Sequence, residues 1–307
     1  MNTAPVALFV YNRPWHTEKT IEALLGNAGA ADTALYVFSD GPKDEAAKPG
    51  VAQVRSHIRE LAGFRSVTVV ERETNHGLAR SIIDGVSTLC EKFGSVIVIE
   101  DDLVVAPTFL RYMNASLARY RDHPGVMQVS GYMFPAEAGA DTDSFFLPFT
   151  TSWGWGTWAR AWRDFDLDMS GLAKLSADGN LRGQFNLGGT YDYYGMLLKQ
   201  LRGEVDSWAI RWYLSVFLKG GLTLYPARTL VRNIGFDGSG THCSDENFGQ
   251  NPVELDFAVE SYPDEVRLYA NWQRVLRGFP GHGTGARGLL NRARTLARRA
   301  LRVGSRS

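Results

Sequence analysis

Apolar and polar positions alternate in two different periods along the first 130 residues. Short apolar runs predict strands at 5–11, 34–38, 67–70, 96–99 and 126–130. Apolar residues at helical spacing predict helices at 15–25, 51–61, 78–93 and 109–121. This alternation of strand and helix favours an α/β fold, with a mostly parallel sheet flanked by helices.

The regular pattern ends after Gly131, where glycine, tryptophan and tyrosine become dense. Helices are predicted at 191–201 and 208–218 and a strand at 222–225, whereas 233–243 reads as a glycine-rich polar loop of the kind used in lids and binding loops. We divide the chain into an α/β half at 1–131, an irregular aromatic-rich half at 132–280 and a basic tail at 281–307.

Three consecutive carboxylates follow the apolar run Val96–Ile99: Glu100, Asp101 and Asp102. Four β-branched residues in a row suit a strand buried on both faces, and like charges at its exit are costly to bury without a partner. Mg²⁺ and Mn²⁺ prefer such oxygen ligands, and strand exits are where open α/β sheets bind ligands. The sequence therefore predicts a divalent metal site; the alternative is a solvated acidic turn before a helix at Pro107.

Charge and cysteine content limit the partners and the compartment. Lys+Arg and Asp+Glu both number 33, so the overall charge points to no nucleic acid partner. Cys90 and Cys243 are too few for a disulfide scaffold and fit a reducing compartment. With no signal-peptide pattern and no apolar stretch near 18 residues, we expect a cytoplasmic protein.

Five motifs occur in a recognisable order, namely YNRP at 11–14, SDGP at 39–42, NHGLARS at 75–81, EDDLVVAP at 100–107 and DSWAIRW at 206–212. Over roughly residues 5–245 the chain resembles inverting GT-A glycosyltransferases, in particular the family 2 type bacterial sugar transferases and the N-acetylglucosaminyltransferase I family. The resemblance implies a GT-A (Rossmann-like) fold and a nucleotide-sugar donor, with a UDP-sugar favoured. It also implies Mn²⁺ or Mg²⁺ as cofactor and inversion at the anomeric carbon by direct displacement.

The resemblance assigns roles to the acids of the first half. Asp102 would ligate the metal, while Glu100 and Asp101 would contact the donor ribose and sugar. Asp40 would accept a hydrogen bond from the uracil imide; the alternative is a turn aspartate before Gly-Pro. On this view residues 1–131 bind the nucleotide sugar, and residues 132–280 bind the acceptor and supply catalytic groups.

Other donor-binding candidates follow from their positions. Tyr11, Asn12 and Arg13 leave the first strand, where Arg13 suits a phosphate, although a salt bridge at the sheet edge is equally open. Asn75 and Arg80 lie at the start of a predicted helix, where the backbone N–H groups form a natural anion site. The alternative is that Asn75 only caps the helix and that Arg80 is an exposed surface residue.

An inverting transfer needs a base to take the proton of the acceptor hydroxyl. In the resembling families this is an acid at the start of a helix in the second half, which corresponds here to Asp206, with Glu204 as its substitute. Asp206 is also a good N-cap for a helix starting at Ser207.

Two further candidates come from the aromatic half. Trp153 or Trp155 suits a sugar ring, because aromatic planes pack on C–H faces, whereas Trp158 and Trp162 are expected to pack in the core. His242 would be a late metal or diphosphate contact, as GT-A enzymes often supply one from a C-terminal loop; the alternative is a surface residue.

The tail from Gly281 contains seven arginines and no acid, and its leucines and alanines recur at helical spacing. This pattern predicts a C-terminal amphipathic helix in peripheral contact with an anionic membrane. A disordered tail and a helix packed on the body are the alternatives. Membrane contact would suit a lipid-linked acceptor on the cytoplasmic face.

The function predicted is transfer of a sugar from a nucleotide-sugar donor to a hydroxyl of a glycan or lipid-linked saccharide, by a metal-dependent inverting glycosyltransferase. One alternative is a metal-dependent sugar nucleotidyltransferase, but these usually carry a glycine-rich basic loop where this chain has residues 11–14. Another is a non-catalytic saccharide-binding protein of the same fold.

Overall fold

The computed structural model describes residues 3–136, 142–238, 253 and 257–278. The strands are β1 Val6–Val10, β2 Ala34–Ser39, β3 Ser66–Glu71, β4 Ser95–Glu100, β5 Leu103–Val105, β6 Val126–Ser130, β7 Ser144–Leu147, β8 Trp155–Trp158, β9 Leu222–Pro226 and β10 Val231–Asn233. The α-helices are α1 Pro14–Leu25, α2 Lys48–Arg59, α3 Leu78–Phe93, α4 Phe109–Arg119, α5 Ala159–Trp162, α6 Leu172–Ala177, α7 Gly179–Phe185, α8 Tyr193–Leu201, α9 Trp208–Leu218 and α10 Trp272–Val275.

Eight strands form one mixed sheet in the order β3-β2-β1-β4-β8-β6-β9-β7. Six of them run in the same direction, whereas β8 and β7 are antiparallel to their neighbours. The remaining two strands, β5 and β10, pair with each other in a small antiparallel ribbon. The predicted α/β class, with a mostly parallel sheet flanked by helices, is confirmed.

The centre of the sheet is built from the most apolar runs. All five residues of β1 are buried, as are Val96–Ile99 of β4, because helices cover both faces there. The edge strand β3 instead alternates exposed and partly buried residues. Burial therefore falls from the middle of the sheet toward this edge.

The carboxyl ends of the first parallel strands meet at one edge. Phe9 of β1 is in register with Glu100 of β4, and Val10 is in register with Ser39 of β2. Residues 11–13, Asp40 and the acid triplet therefore leave the sheet side by side, which is where ligands bind in open α/β sheets.

The second half of the chain contributes to the same sheet. Strand β8, which the sequence pattern did not predict, pairs with β4 so that Trp155 lies opposite Val98, near the exit of β4. Trp208, the first residue of α9, stacks on Trp155 with ring centroids 4.9 Å apart. The start of α9 therefore lies toward the same carboxyl edge as the acids. No helix in the described part of the chain is long and apolar enough to cross a membrane.

Candidate functional site

The acid triplet is enclosed rather than solvated. Asp101 and Asp102 are 4% and 7% exposed, so the predicted alternative of a solvated acidic turn is wrong. The short strand β5 follows at once and ties the backbone after the acids to β10. Nη2 of Arg13 donates to both carboxylates, and its distance to Oδ2 of Asp102 is 2.9 Å.

The three acids of the triplet disfavour one another's ionisation. Burial first, and then the charges of Asp102 and Asp101, raise the pKa of Glu100 to about 8, although the charge of Arg13 acts in the opposite direction. Burial also raises the pKa of Asp101. Within the described residues, Asp101 and Asp102 share the guanidinium of Arg13, and a second cation would relieve the repulsion among the three acids.

The chain after β10 crosses directly over the acids. The backbone N–H of Ile234 donates to the carbonyl oxygen of Asp102 at 2.8 Å. A methyl group at position 235 would overlap Oδ2 of Asp102 and lie 3.0 Å from Nη1 of Arg13, so only glycine fits there. Nε2 of His16 in α1 lies 3.1 Å from Oδ2 of Asp237. Residues 234–237 therefore form a wall of the site, which we call the 234–237 wall.

Asp40 organises the turn before α3. Its carboxylate accepts from the backbone N–H groups of His76 and Gly77, at 2.9 and 2.8 Å, and from the side-chain amide of Asn75 at 3.1 Å. Asn75 therefore binds Asp40 rather than capping α3, whose N-cap is Gly77 without a side-chain cap. Arg80 is exposed and lies 3.8 Å from Asp84. The nucleobase role of Asp40 and the donor roles of Asn75 and Arg80 stay predictions.

Tyr11 and Asn12 connect the exit of β1 to its neighbours. The backbone N–H of Tyr11 lies 3.4 Å from Oδ2 of Asp101, and its hydroxyl accepts from the backbone N–H of Lys43 at 2.9 Å. The backbone of Asn12 packs so closely on Gly50 that a side chain at 50 would collide with it. Their contacts with a donor stay predictions.

The two candidate bases stand before α9. Ser207, not Asp206, is the N-cap, since its hydroxyl accepts from the N–H of Ile210, and the predicted capping role of Asp206 is wrong. The Asp206 side chain is 66% exposed and accepts from Nη2 of Arg211 at 3.1 Å. Glu204 is exposed and bound by Arg202, whose hydrogen bond lowers the pKa of its carboxyl.

Gly154 separates the two tryptophans that were candidates for sugar binding. In a regular strand, residues two positions apart point to the same face. The φ of Gly154, +60°, breaks this pattern between Trp153 and Trp155. Trp155 is fully buried against Trp208, so no sugar can stack on it and that part of the prediction is wrong. Trp153 is only partly buried and stays a prediction. Trp158 and Trp162 are buried, as expected of packing residues.

The described residues around the acid triplet offer few ligands to a divalent cation. These contain no group of three or more histidine, cysteine or acidic side chains arranged to hold a metal. They do offer Asp102, beside an excess of negative charge, as one carboxylate ligand. That fits a cation whose other ligands are diphosphate oxygens and water. His242 and the basic tail lie outside the described residues.

Three residues of this edge were missed in the sequence: Tyr132, Gly235 and Phe236. The loop containing the last two was recognised as a binding loop, but no pattern indicated which of its residues would meet Asp102. Tyr132 follows β6 and has no sequence neighbour of obvious chemistry.

No protein-family model and no curated protein matches the chain. Among solved structures, it is similar to S. aureus TarS with 12% identity and a TM-score of 0.43, over 75% of this chain and 36% of that one. A mannosyltransferase from Pyrobaculum calidifontis in complex with GDP-Man and Mn²⁺ matches with 15% identity and a TM-score of 0.33, over 50% and 43%. A UDP-glucose pyrophosphorylase complexed with UDP-glucose matches with 9% identity and a TM-score of 0.36, over 73% and 90%.

The chain thus spans less than half the length of the first two of these proteins. Scores this low do not transfer an activity, and a transferase and a pyrophosphorylase stand side by side among them. The fold class rests on the sheet itself, and the chemistry rests on the geometry of its carboxyl edge.

Proposed function

We propose that this protein is a metal-dependent inverting glycosyltransferase that moves a sugar from a nucleotide-sugar donor to an acceptor hydroxyl. The observation that supports it best is the enclosed acid triplet at the carboxyl edge of the central strand β4, where Asp101 and Asp102 share one guanidinium. A diphosphate is itself an anion, so it can occupy this place only with a cation between it and the carboxylates. That combination is characteristic of a metal-bound nucleoside diphosphate.

The residues of the first half would bind the donor. Asp102 would hold the Mn²⁺ or Mg²⁺, which when bound offsets charge on the leaving diphosphate. Arg13, which pairs with Asp101 and Asp102, would add a second positive charge beside the phosphates. Glu100 and Asp101 would position the donor. Asp40 and the turn at 75–77 would border the nucleobase, with uracil favoured.

Asp206 would act as the base. In the transfer, the acceptor O–H gives its proton to the Asp206 carboxylate while the oxygen bonds to the anomeric carbon. The bond from that carbon to the diphosphate breaks on the opposite face, and the nucleoside diphosphate leaves with the electron pair. Asp206 is favoured over Glu204, because it lies directly before the cap Ser207 at the start of α9.

The acceptor proposed is a glycan or lipid-linked saccharide. The partly exposed Trp153, just before β8, would present an aromatic face to a sugar ring. The arginine-rich tail would bring the protein to an anionic membrane where such an acceptor is held.

A panel of nucleotide sugars, tested with and without Mn²⁺, checks the proposal through thermal shift and release of nucleoside diphosphate. We expect one nucleotide class to stabilise the protein only with metal. Asp102→Asn should lower turnover by at least about 100-fold, since a direct ligand matters more than an outer one. Asp164→Asn, which removes a surface carboxylate paired with Lys219, is the matched control and should behave as wild type.

The same panel separates the rivals. A nucleotidyltransferase would consume a nucleoside triphosphate and a sugar phosphate and release pyrophosphate. A saccharide-binding protein would bind without metal and without turnover. Metal-independent binding together with an inert Asp102→Asn substitution would refute the proposal.

A further inference from the structure

Three aromatic side chains lie together at the carboxyl edge of the sheet, drawn from separate parts of the chain. Tyr132 follows β6, Trp153 precedes β8 and Phe236 follows β10. The rings of Tyr132 and Trp153 meet edge to face with centroids 4.4 Å apart, and those of Trp153 and Phe236 do so at 5.6 Å. We call these three residues the aromatic cluster.

The aromatic cluster is joined directly to the acid cluster. Phe236 is bonded to Gly235, whose backbone lies against the carboxylate of Asp102, and the N–H of Ile234 donates to the Asp102 carbonyl. The N–H of Gly235 in turn donates to the side chain of Asn233 at 2.7 Å, which fixes the turn. Phe236 therefore directly follows the residue whose backbone contacts the proposed metal ligand, Asp102.

The composition of the cluster suits a sugar rather than further core packing. Trp153 and Phe236 are only partly buried, so the cluster is open to solvent in part. Tyr132 is 4% exposed, yet its hydroxyl has no hydrogen-bond partner within the described structure. A buried hydroxyl without a partner is unfavourable, whereas a sugar offers both C–H faces for the rings and hydroxyls for the phenol.

We infer that Tyr132, Trp153 and Phe236 form the subsite for the sugar ring that is transferred. The inference rests on the proposed function and specifies which ring binds there. In a nucleotide sugar the ring is bonded directly to the diphosphate, so it must lie beside the carboxylate that holds the metal. The aromatic cluster occupies that position, and the 234–237 wall holds it there.

Isothermal titration with Mn²⁺ tests the subsite by comparing each nucleotide sugar with its own free nucleoside diphosphate. The probes are UDP-glucose, UDP-N-acetylglucosamine and GDP-mannose, beside UDP and GDP. Phe236→Ala should weaken binding of the nucleotide sugar by about 10-fold and Tyr132→Phe by about 5-fold, because contacts to the ring and to a hydroxyl are lost. Binding of the free diphosphate should change less than two-fold.

Two controls keep the result interpretable. Phe93→Ala removes a 40% exposed phenylalanine at the end of α3 and should leave both affinities unchanged. Phe236→Leu, which keeps an apolar side chain on the 234–237 wall, is the variant to use if Phe236→Ala fails to fold. It should weaken binding of the nucleotide sugar by a smaller factor and leave binding of the free diphosphate unchanged.

The outcomes separate the subsite from the proposed function. Metal-dependent binding of free diphosphate with a sugar-selective loss in the variants supports the subsite. Equal loss for diphosphate and nucleotide sugar, no loss, or an effect confined to the acceptor KM overturns it while leaving the proposed function standing. Failure of the wild-type protein to bind any probe with metal overturns both.

Discussion

Gly235 brings the backbone into contact with the carboxylate of Asp102, and a methyl group there would overlap Oδ2. We expect Gly235→Ala to displace this carboxylate, lowering the free energy of unfolding by about 1–3 kcal/mol. Metal-dependent binding of nucleoside diphosphate should fall by at least about 10-fold, because a misplaced ligand binds the cation poorly. Gly183→Ala, where a methyl group meets nothing within 4 Å, is the control. Titration within two-fold of wild type would contradict this prediction.

Trp155 and Trp153 should respond differently to the same truncation. Trp155 is fully buried among Trp208, Trp162 and Trp212, so Trp155→Ala should lower the free energy of unfolding by about 3–5 kcal/mol. Trp153→Ala should lower stability less and activity more, because its ring is partly exposed in the aromatic cluster. Urea unfolding and initial rates measure the two effects. Equal losses of stability would show that both rings belong to the core.

Individual site residues were predictable where an unusual residue type coincided with the end of a predicted strand. The triplet Glu100–Asp102 was identified as an unusual acid cluster at a strand exit, and the structure encloses it there. The choice between Trp153 and Trp155 could not be made from the sequence, because it depends on the positive φ of Gly154.

At the start of helix α9, the capping residue and the proposed catalytic base are two different residues. Ser207 caps the helix, and Asp206 stands exposed beside it. Ser207→Ala should therefore lower the free energy of unfolding by about 1 kcal/mol. Asp206→Asn should leave stability within about 0.5 kcal/mol, as for other surface positions, and lower kcat by at least about 100-fold. Chemical denaturation with steady-state rates tests both, and the reverse pattern would assign the cap to Asp206.

Most long elements were predictable from periodicity. The helices Leu78–Phe93 and Trp208–Leu218 have the predicted bounds, because their apolar spacing extends over several turns. Strands β5, β7, β8 and β10 were not predicted. Strand β5 has three residues, and it exists through pairing with β10, more than a hundred residues later. Strand β8 contains tryptophan and glycine in a loop-like composition and is defined by β4.

At the scale of the molecule, the two halves share one sheet. Strand β8 of the second half lies between β4 and β6 of the first. The described body should therefore unfold as one cooperative unit, with coincident urea transitions by tryptophan fluorescence and far-ultraviolet circular dichroism. Two separated transitions would instead indicate halves that fold independently.

Ligand binding should move that transition as a whole. With Mn²⁺ and a nucleoside diphosphate at 100 times its Kd, we expect about 2.7 kcal/mol of added stability. Removing the metal with EDTA should abolish the shift, because the diphosphate would then face the acid triplet without a cation. A shift of the same size in EDTA would contradict a role for metal in binding.

The sequence by itself determined the α/β class, the long helices and the place of the acid triplet, because hydrophobic periodicity and strings of like charge are local properties. The contacts of Arg13 with Asp101 and Asp102, of Gly235 with Asp102, and among Tyr132, Trp153 and Phe236 arise only when the chain folds. Most of these contacts join residues that are far apart in the sequence. Their geometry depends on strand pairing and on the backbone turn at Gly154. Local patterns carry no information about such distances, so the site could be located from the sequence but not assembled from it.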